Sequence, residues 1–156
     1  MPKTRFAFFD VDKTIFNGYT ASDFLLFAAN QKVAQIKYKE QYLKALEQYK
    51  AGRIEYNEAA QICLDLFSQM VKGMSVSRIR QLVRKMFSQM DYVIYPWVFP
   101  VINHLRRLKF KTILISAGPD IAIELINRQV KADQFMATYI DRVDGVFYWQ
   151  ISRNFK

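Results

Sequence analysis

Two short apolar runs, at residues 5–9 and 111–115, each break off in small polar groups. Arg5-Phe-Ala-Phe-Phe9 stops at Asp10, and Lys111-Thr-Ile-Leu-Ile115 stops at Ser116-Ala-Gly-Pro-Asp120. Four or five apolar residues bounded by polar ones read as a buried strand. Neither run alternates cleanly, so both faces are expected to be covered, as in a parallel sheet. In open α/β sheets ligands sit beyond the carboxyl ends of the strands. Asp10-Val-Asp-Lys-Thr14 and Ser116-Ala117 both occupy such ends.

Between the runs, from Thr20 to Met90, the spacing turns helical. Ser22 is expected to cap a helix beginning at Asp23, with Phe24, Phe27 and Ala28 on one face. Tyr38, Tyr42, Leu46 and Tyr49 mark a second helix, and Gly52 stops it. Ile62, Leu66 and Met70, with Cys63 and Phe67 beside them, mark a third, which ends at Gly73. Val76, Ile79, Val83, Met86 and Met90 form the last stripe of this helical insert. Tyr95-Pro96 marks the return, since the residue before Pro is pushed out of helical geometry. A short helix at Val101–Leu108 then leads into the second strand. Pro119 is expected in the first turn of a helix running from Ile121 to Val130. A third strand is expected near Phe135–Ile140, and Asp144-Gly145 signals a hairpin. A chain of 156 residues suits one domain carrying a small insert.

Composition removes several classes. With 51% apolar and 24% charged residues, the chain is neither disordered, collagen-like nor low in complexity. Its one cysteine, Cys63, excludes an intramolecular disulfide framework and a multi-cysteine zinc site. No stretch is long and apolar enough for a signal-peptide core or a membrane span, so a soluble cytoplasmic protein is expected. The net charge of +9 fits either an anionic partner or a solvated basic surface.

The chemistry gathers at the two strand ends. Asp10 and Asp12 stand two positions apart, so a continuing strand would project both carboxylates to one side. Such a pair repels itself unless a proton or a cation relieves it. A hard cation such as Mg²⁺ is the natural relief. The Ser116 hydroxyl and the backbone N–H groups beside it, Ala117 included, make an anion site at a helix start. Two carboxylates, a cation and an anion cradle describe phosphoryl transfer.

Phe8-Phe-Asp-Val-Asp-Lys-Thr14 resembles the first signature of the haloacid dehalogenase (HAD) superfamily, apolar residues followed by D-x-D-x-T. Ile113-Leu-Ile-Ser116 resembles the second, a strand ending in Ser or Thr. The Lys within the first motif, the helical insert after it and the late Asp-Gly hairpin are similar to the phosphoserine-phosphatase-like branch, subfamily IB. The resemblance implies an α/β fold with a Rossmann-like parallel sheet. It divides the chain into a core of residues 1–15 plus 93–156 and a helical cap of residues 16–92. It further implies a Mg²⁺-dependent phosphomonoester hydrolase acting on a small phosphorylated substrate. Asp10 matches the nucleophile that forms an aspartyl-phosphate, and Asp12 the general acid/base. Mg²⁺ would be held by the Asp10 carboxylate and the Asp12 main-chain carbonyl. Ser116 and Ala117 match the phosphate-binding positions, and Thr14 the Thr that orients the first loop.

The chain also departs from that pattern. No G-D-x-x-x-D context follows residue 116; Asp133, Asp141 and Asp144 stand elsewhere, and only the final Lys156 comes near the position of the phosphate-binding Lys. The expectation is a chain matching the first three-quarters of such an enzyme, with a degenerate member of the family as the alternative. Two other function classes stay open. One is a HAD-like protein that binds without catalysis. The other is a basic nucleic-acid-binding module, for which Arg106–Lys111 is the only cluster. Cations at a helix end complement its dipole, so a solvated face is the first reading of that cluster. His104 reads as a surface or boundary residue, Cys63 as buried, and Tyr38, Tyr42, Tyr49 and Tyr56 as packing of the cap.

Overall fold

The computed structural model describes residues 3–89 and 94–152. Met90 and Lys156 lie outside the described residues, as does the expected boundary at 92–93. Three strands, β1 (Arg5–Asp10), β2 (Phe110–Pro119) and β3 (Gln134–Val143), pair in parallel in that order. β4 (Val146–Ser152) closes the far edge antiparallel to β3. The turn between them is Asp144-Gly145, with φ of 51° and 76°. Two positive φ values are what a two-residue hairpin turn demands, and Asp and Gly tolerate them.

Four helices leave the sheet after β1: α1 (Thr20–Asn30), α2 (Ile36–Lys50), α3 (Tyr56–Val71) and α4 (Val76–Ser88). Gly52 and Gly73, at φ of 67° and 76°, follow α2 and α3 as left-handed stops. Helix α1 starts earlier than Ser22 suggests. Tyr19 is its cap, and Ser22 is buried inside the first turn. The reason is Asp23, whose Oδ2 reaches back to accept the Tyr19 N–H at 2.9 Å. Ser75 does cap α4, accepting from the Arg78 N–H. The chain returns through α5 (Val98–Arg107), and α6 (Asp120–Val130) links β2 to β3. β2 runs on to Pro119, so that proline is the extended cap of α6 rather than part of its first turn.

The core is one apolar cluster. Phe16, Phe24, Phe67, Leu114, Ile121 and Phe147 belong to it, so the helices of residues 16–92 and the sheet share a single interior. Among the described residues no helix is long and apolar enough to cross a membrane. The basic cluster at the end of α5 is tied down: Arg106 donates to the Lys131 carbonyl at 2.9 Å, Lys111 pairs with Asp133 at 2.8 Å, and Arg5 donates to the Leu108 carbonyl. His104 is exposed and Cys63 is buried.

One expectation is overturned. Among the described residues β1 is an edge strand with an open face, where the sequence predicted cover on both. Phe6 and Phe8 are 51% and 59% exposed, with rings stacked 6.2 Å apart. In register, Phe8 stands opposite Ile113 and Asp10 opposite Ile115, and paired residues in parallel strands share a face. Ile115 is 39% exposed on that face. Both steps, β1 to β2 and β2 to β3, run in the same direction across the sheet. Right-handed crossovers then put both connecting helices, α5 and α6, on the other face. There Leu114 and Ala137 are buried. Leu114→Ala should therefore cost about 2–5 kcal/mol in denaturant unfolding. Phe8→Ala should cost less than about 1 kcal/mol. Equal losses would show that the β1 face is covered after all.

Candidate active site

β1 ends at Asp10, and beyond it Asp12 makes only an isolated bridge to Phe16. The Val11 carbonyl instead accepts the N–H groups of Thr14, Ile15 and Phe16 at 3.2, 2.9 and 2.8 Å. This coils the chain into a tight loop in which Lys13 takes a φ of 60°. Val11, Ile15 and Phe16 are fully buried and pin the loop to the core. The two carboxylates are thus fixed by separate anchors and not by one straight strand. Asp10 Oδ2 accepts the Thr14 hydroxyl at 2.7 Å. Asp12 turns to the start of α1, where Oδ1 accepts the Thr20 N–H at 3.1 Å and Oδ2 the Thr20 hydroxyl at 3.2 Å.

Their surroundings differ. Asp10 is exposed, while Asp12 is largely withdrawn from water. Burial pushes the Asp12 carboxyl up to about 6. The two Thr20 bonds pull it down, and the Asp10 and Asp23 charges add to the rise. Desolvation therefore outweighs the hydrogen bonds, which disfavours the charged form.

The end of β2 closes against this loop. Ser116 is buried, and its Oγ accepts the Gly118 N–H at 2.9 Å. A Cβ on Gly118 would meet Thr20 Oγ1 at 2.1 Å. A glycine is therefore required for Thr20 to reach Asp12. Ala117 is exposed, and its carbonyl accepts the Thr138 hydroxyl at 2.7 Å. The start of α6, expected to offer N–H groups to an anion, already carries a negative charge. Asp120 in its first turn pairs with Arg142.

A cavity of about 180 Å³ opens beside Asp12. Ala117 and Gly118 form its floor, and residues of α1, α2 and α3 its walls. The structure thus brings Asp12 and Ala117 to one space, with Asp10 and Thr14 joined beside it. Thr20, Gly118, Tyr42, Tyr49 and Tyr56 are the residues that sequence reasoning did not place in the site. The seven-residue spacing of the three tyrosines was the available signal, because it keeps Tyr42 and Tyr49 on one side of α2.

The loop has some of what a Mg²⁺ ion requires. Asp10 Oδ1 makes no hydrogen bond among the described residues, and an exposed carboxylate oxygen is a hard donor. No group of three His, Cys, Asp or Glu side chains gathers to hold a metal among the described residues. The donor set therefore fits an ion that keeps most of its water and takes few protein oxygens.

A family model described as haloacid dehalogenase-like hydrolase matches residues 7–155. No curated protein matches the sequence. A Bordetella pertussis Tohama I protein of unknown function superposes with a TM-score of 0.82 at 16% identity, over 97% of this chain and 68% of that one. A phosphoserine phosphatase solved as a phospho-aspartyl intermediate analogue gives 0.62 at 16% identity, over 96% and 63%. A HAD-family hydrolase from Salmonella enterica serovar Typhi gives 0.69 at 17% identity, over 99% and 47%. At these identities the likeness is one of fold. The chain spans between about half and two thirds of the length of these structures.

Two expectations follow from the geometry. A carboxyl held above its ordinary value destabilises the fold when ionised, and the penalty is relieved as pH falls from about 6 toward 3.8. Without added divalent cation, Asp12→Asn should raise stability at pH 8, by on the order of 2 kcal/mol. The gain should shrink as pH drops below about 6. Melting curves at pH 8 and pH 5 check this, and a pH-independent difference would contradict the buried setting of Asp12. Gly118→Ala should lower the melting temperature, at a cost of about 1–3 kcal/mol, because Thr20 must move away.

Proposed function

Because the chain belongs to the haloacid dehalogenase-like hydrolase family, we propose that its site hydrolyses phosphomonoesters through a covalent phosphoryl group on Asp10. The supporting observation is the unequal setting of the two carboxylates. Asp10 is exposed at a strand end and steadied by Thr14. Asp12 is half-buried, held by Thr20, and raised to about 6, close to the working range of a general acid and base. The phosphoserine phosphatase with a similar fold was solved as a phospho-aspartyl intermediate analogue, which fits the same chemistry.

In the first step a carboxylate oxygen of Asp10 bonds to phosphorus. The P–O bond to the alcohol breaks, and its electron pair stays on the alcohol oxygen. Protonated Asp12 gives that oxygen its proton. In the second step Asp12 takes a proton from a water whose oxygen bonds to phosphorus. The bond from phosphorus to Asp10 then breaks, releasing inorganic phosphate and restoring both side chains. The Ser116 hydroxyl and the Ala117 N–H bind phosphoryl oxygens, and Thr14 keeps Asp10 aimed. The Asp10 carboxylate and the Asp12 main-chain carbonyl would hold Mg²⁺, which would supply positive charge next to the phosphoryl group. Residues 16–92 act as the cap that selects a small phosphorylated substrate, over a core of 1–15 plus 93–156. The cytoplasm is the expected setting.

The test uses the protein expressed from its full reading frame, with p-nitrophenyl phosphate and Mg²⁺. Asp10→Asn should lower turnover at least ~1000-fold with the fold intact by circular dichroism. Asp12→Asn should lose about 100- to 10,000-fold, and chelation of the metal should stop the wild type. Near-wild-type turnover by Asp10→Asn would sink the mechanism. Salt-sensitive phosphate binding without any turnover would favour the non-catalytic alternative.

A further inference from the structure

The cavity next to Asp12 has a chemistry of its own. Among the described residues, Asp12 is the one charged side chain on its lining. The rest is small, aliphatic or aromatic, with Tyr42, Leu46 and Tyr49 contributed by α2 and Tyr56, Cys63 and Leu64 by α3. Tyr49 and Tyr56 meet edge-on at 6.1 Å and form one wall. Tyr42 sits beside Ser22, so a hydroxyl pair lies at the polar end. Cys63 lines the wall as a neutral thiol, pushed up to about 12 by its burial. Such a thiol behaves as a small apolar group.

Any phosphomonoester reaching Asp10 through this space leaves its alcohol here. A zwitterionic alcohol such as serine brings an ammonium and a carboxylate. Each needs an opposite partner when withdrawn from water, and an unpaired buried charge costs several kcal/mol. Among the described residues the lining holds no Lys or Arg for the carboxylate, and Asp12 is its one carboxylate. A single aromatic ring has no such requirement. A dry apolar cavity of about 150 Å³ holds benzene, and this one measures about 180 Å³. Tyrosine faces and edges add the offset or edge-on contacts that rings prefer.

Building on the phosphatase reading above, we infer that the substrate is a phosphomonoester of an apolar, single-ring-sized alcohol. Its ring seats between Tyr42 and Tyr49 of α2 and Ala60 and Leu64 of α3. The solved phosphoserine phosphatases share the fold, and this cavity departs from what phosphoserine requires.

The test compares benzyl phosphate, O-phosphoserine and ethyl phosphate on the full-length protein with Mg²⁺. All three leave as alkyl alcohols, so leaving-group reactivity does not decide the outcome. Benzyl phosphate should show a kcat/KM at least ~10-fold above that of each of the others. Calorimetry should show benzylphosphonate binding more tightly than ethylphosphonate by a similar factor. Tyr49 is 40% exposed, so Tyr49→Ala leaves the packing of α2 standing. In that variant the benzyl-to-ethyl ratio should collapse toward one, mostly through KM. Phosphoserine turned over as well as or better than benzyl phosphate would overturn this inference and leave the phosphatase reading in place. No turnover of any of these esters or of p-nitrophenyl phosphate would overturn the phosphatase reading, and this inference with it.

Discussion

Parallel pairing of Arg5–Asp10 with Phe110–Ile115 forces the chain between them to leave the sheet and return to start β2 beside the start of β1. A parallel neighbour cannot be reached by a tight turn. The excursion here is long enough to carry five helices, and four of them use it to build a second layer. The pairing also decides where chemistry is possible. Asp10 ends opposite Ile115, so the loops after both strands open on the same edge of the sheet. Gly118 and the start of α1 then converge on Asp12 although they are far apart in sequence.

The fit around Asp12 is a compromise between opposing terms. Two bonds from Thr20 stabilise the carboxylate at a helix N-terminus, where negative charge is favoured. Burial against an apolar cavity works against that and wins. The balance depends on how closely Thr20 approaches, and Gly118 sets that distance by having no side chain. A residue with no chemistry of its own thus governs a titrating group two segments away.

Much of this was legible locally. Gly52, Gly73 and Asp144-Gly145 mark stops and a hairpin because each takes a left-handed backbone that few residues tolerate. The stripe of Leu66, Phe67 and Met70 is buried as its helical spacing implies. The carboxylate pair was visible by its place after an apolar run. What stayed hidden depends on tertiary placement. The open face of β1 follows from the side on which the crossover helices lie, which no local pattern records. The start of α1 moved to Tyr19 because Asp23 reaches back, a contact that Ser22 obscured. Thr20 opened the helical region with no role of its own until the close approach of Gly118 gave it one. The tyrosines of α2 read as packing because their spacing does not reveal that a cavity faces them.

Among the described residues the open side of β1 has a consequence for how copies of this 156-residue chain meet in solution. Its outer N–H and C=O groups face no neighbour among the described strands, and Phe6 and Phe8 stand beside them. An edge of this kind is adhesive toward other strands. The counterweight is the net charge of +9, which makes two copies repel before their edges can touch. That repulsion reaches about 10 Å at 0.1 M salt and only about 3 Å at 1 M. Colloidal behaviour and sheet architecture are therefore linked through ionic strength. Dilute salt keeps the molecules apart, and concentrated salt lets the bare edges find one another, a crossover that light scattering against salt concentration reads directly.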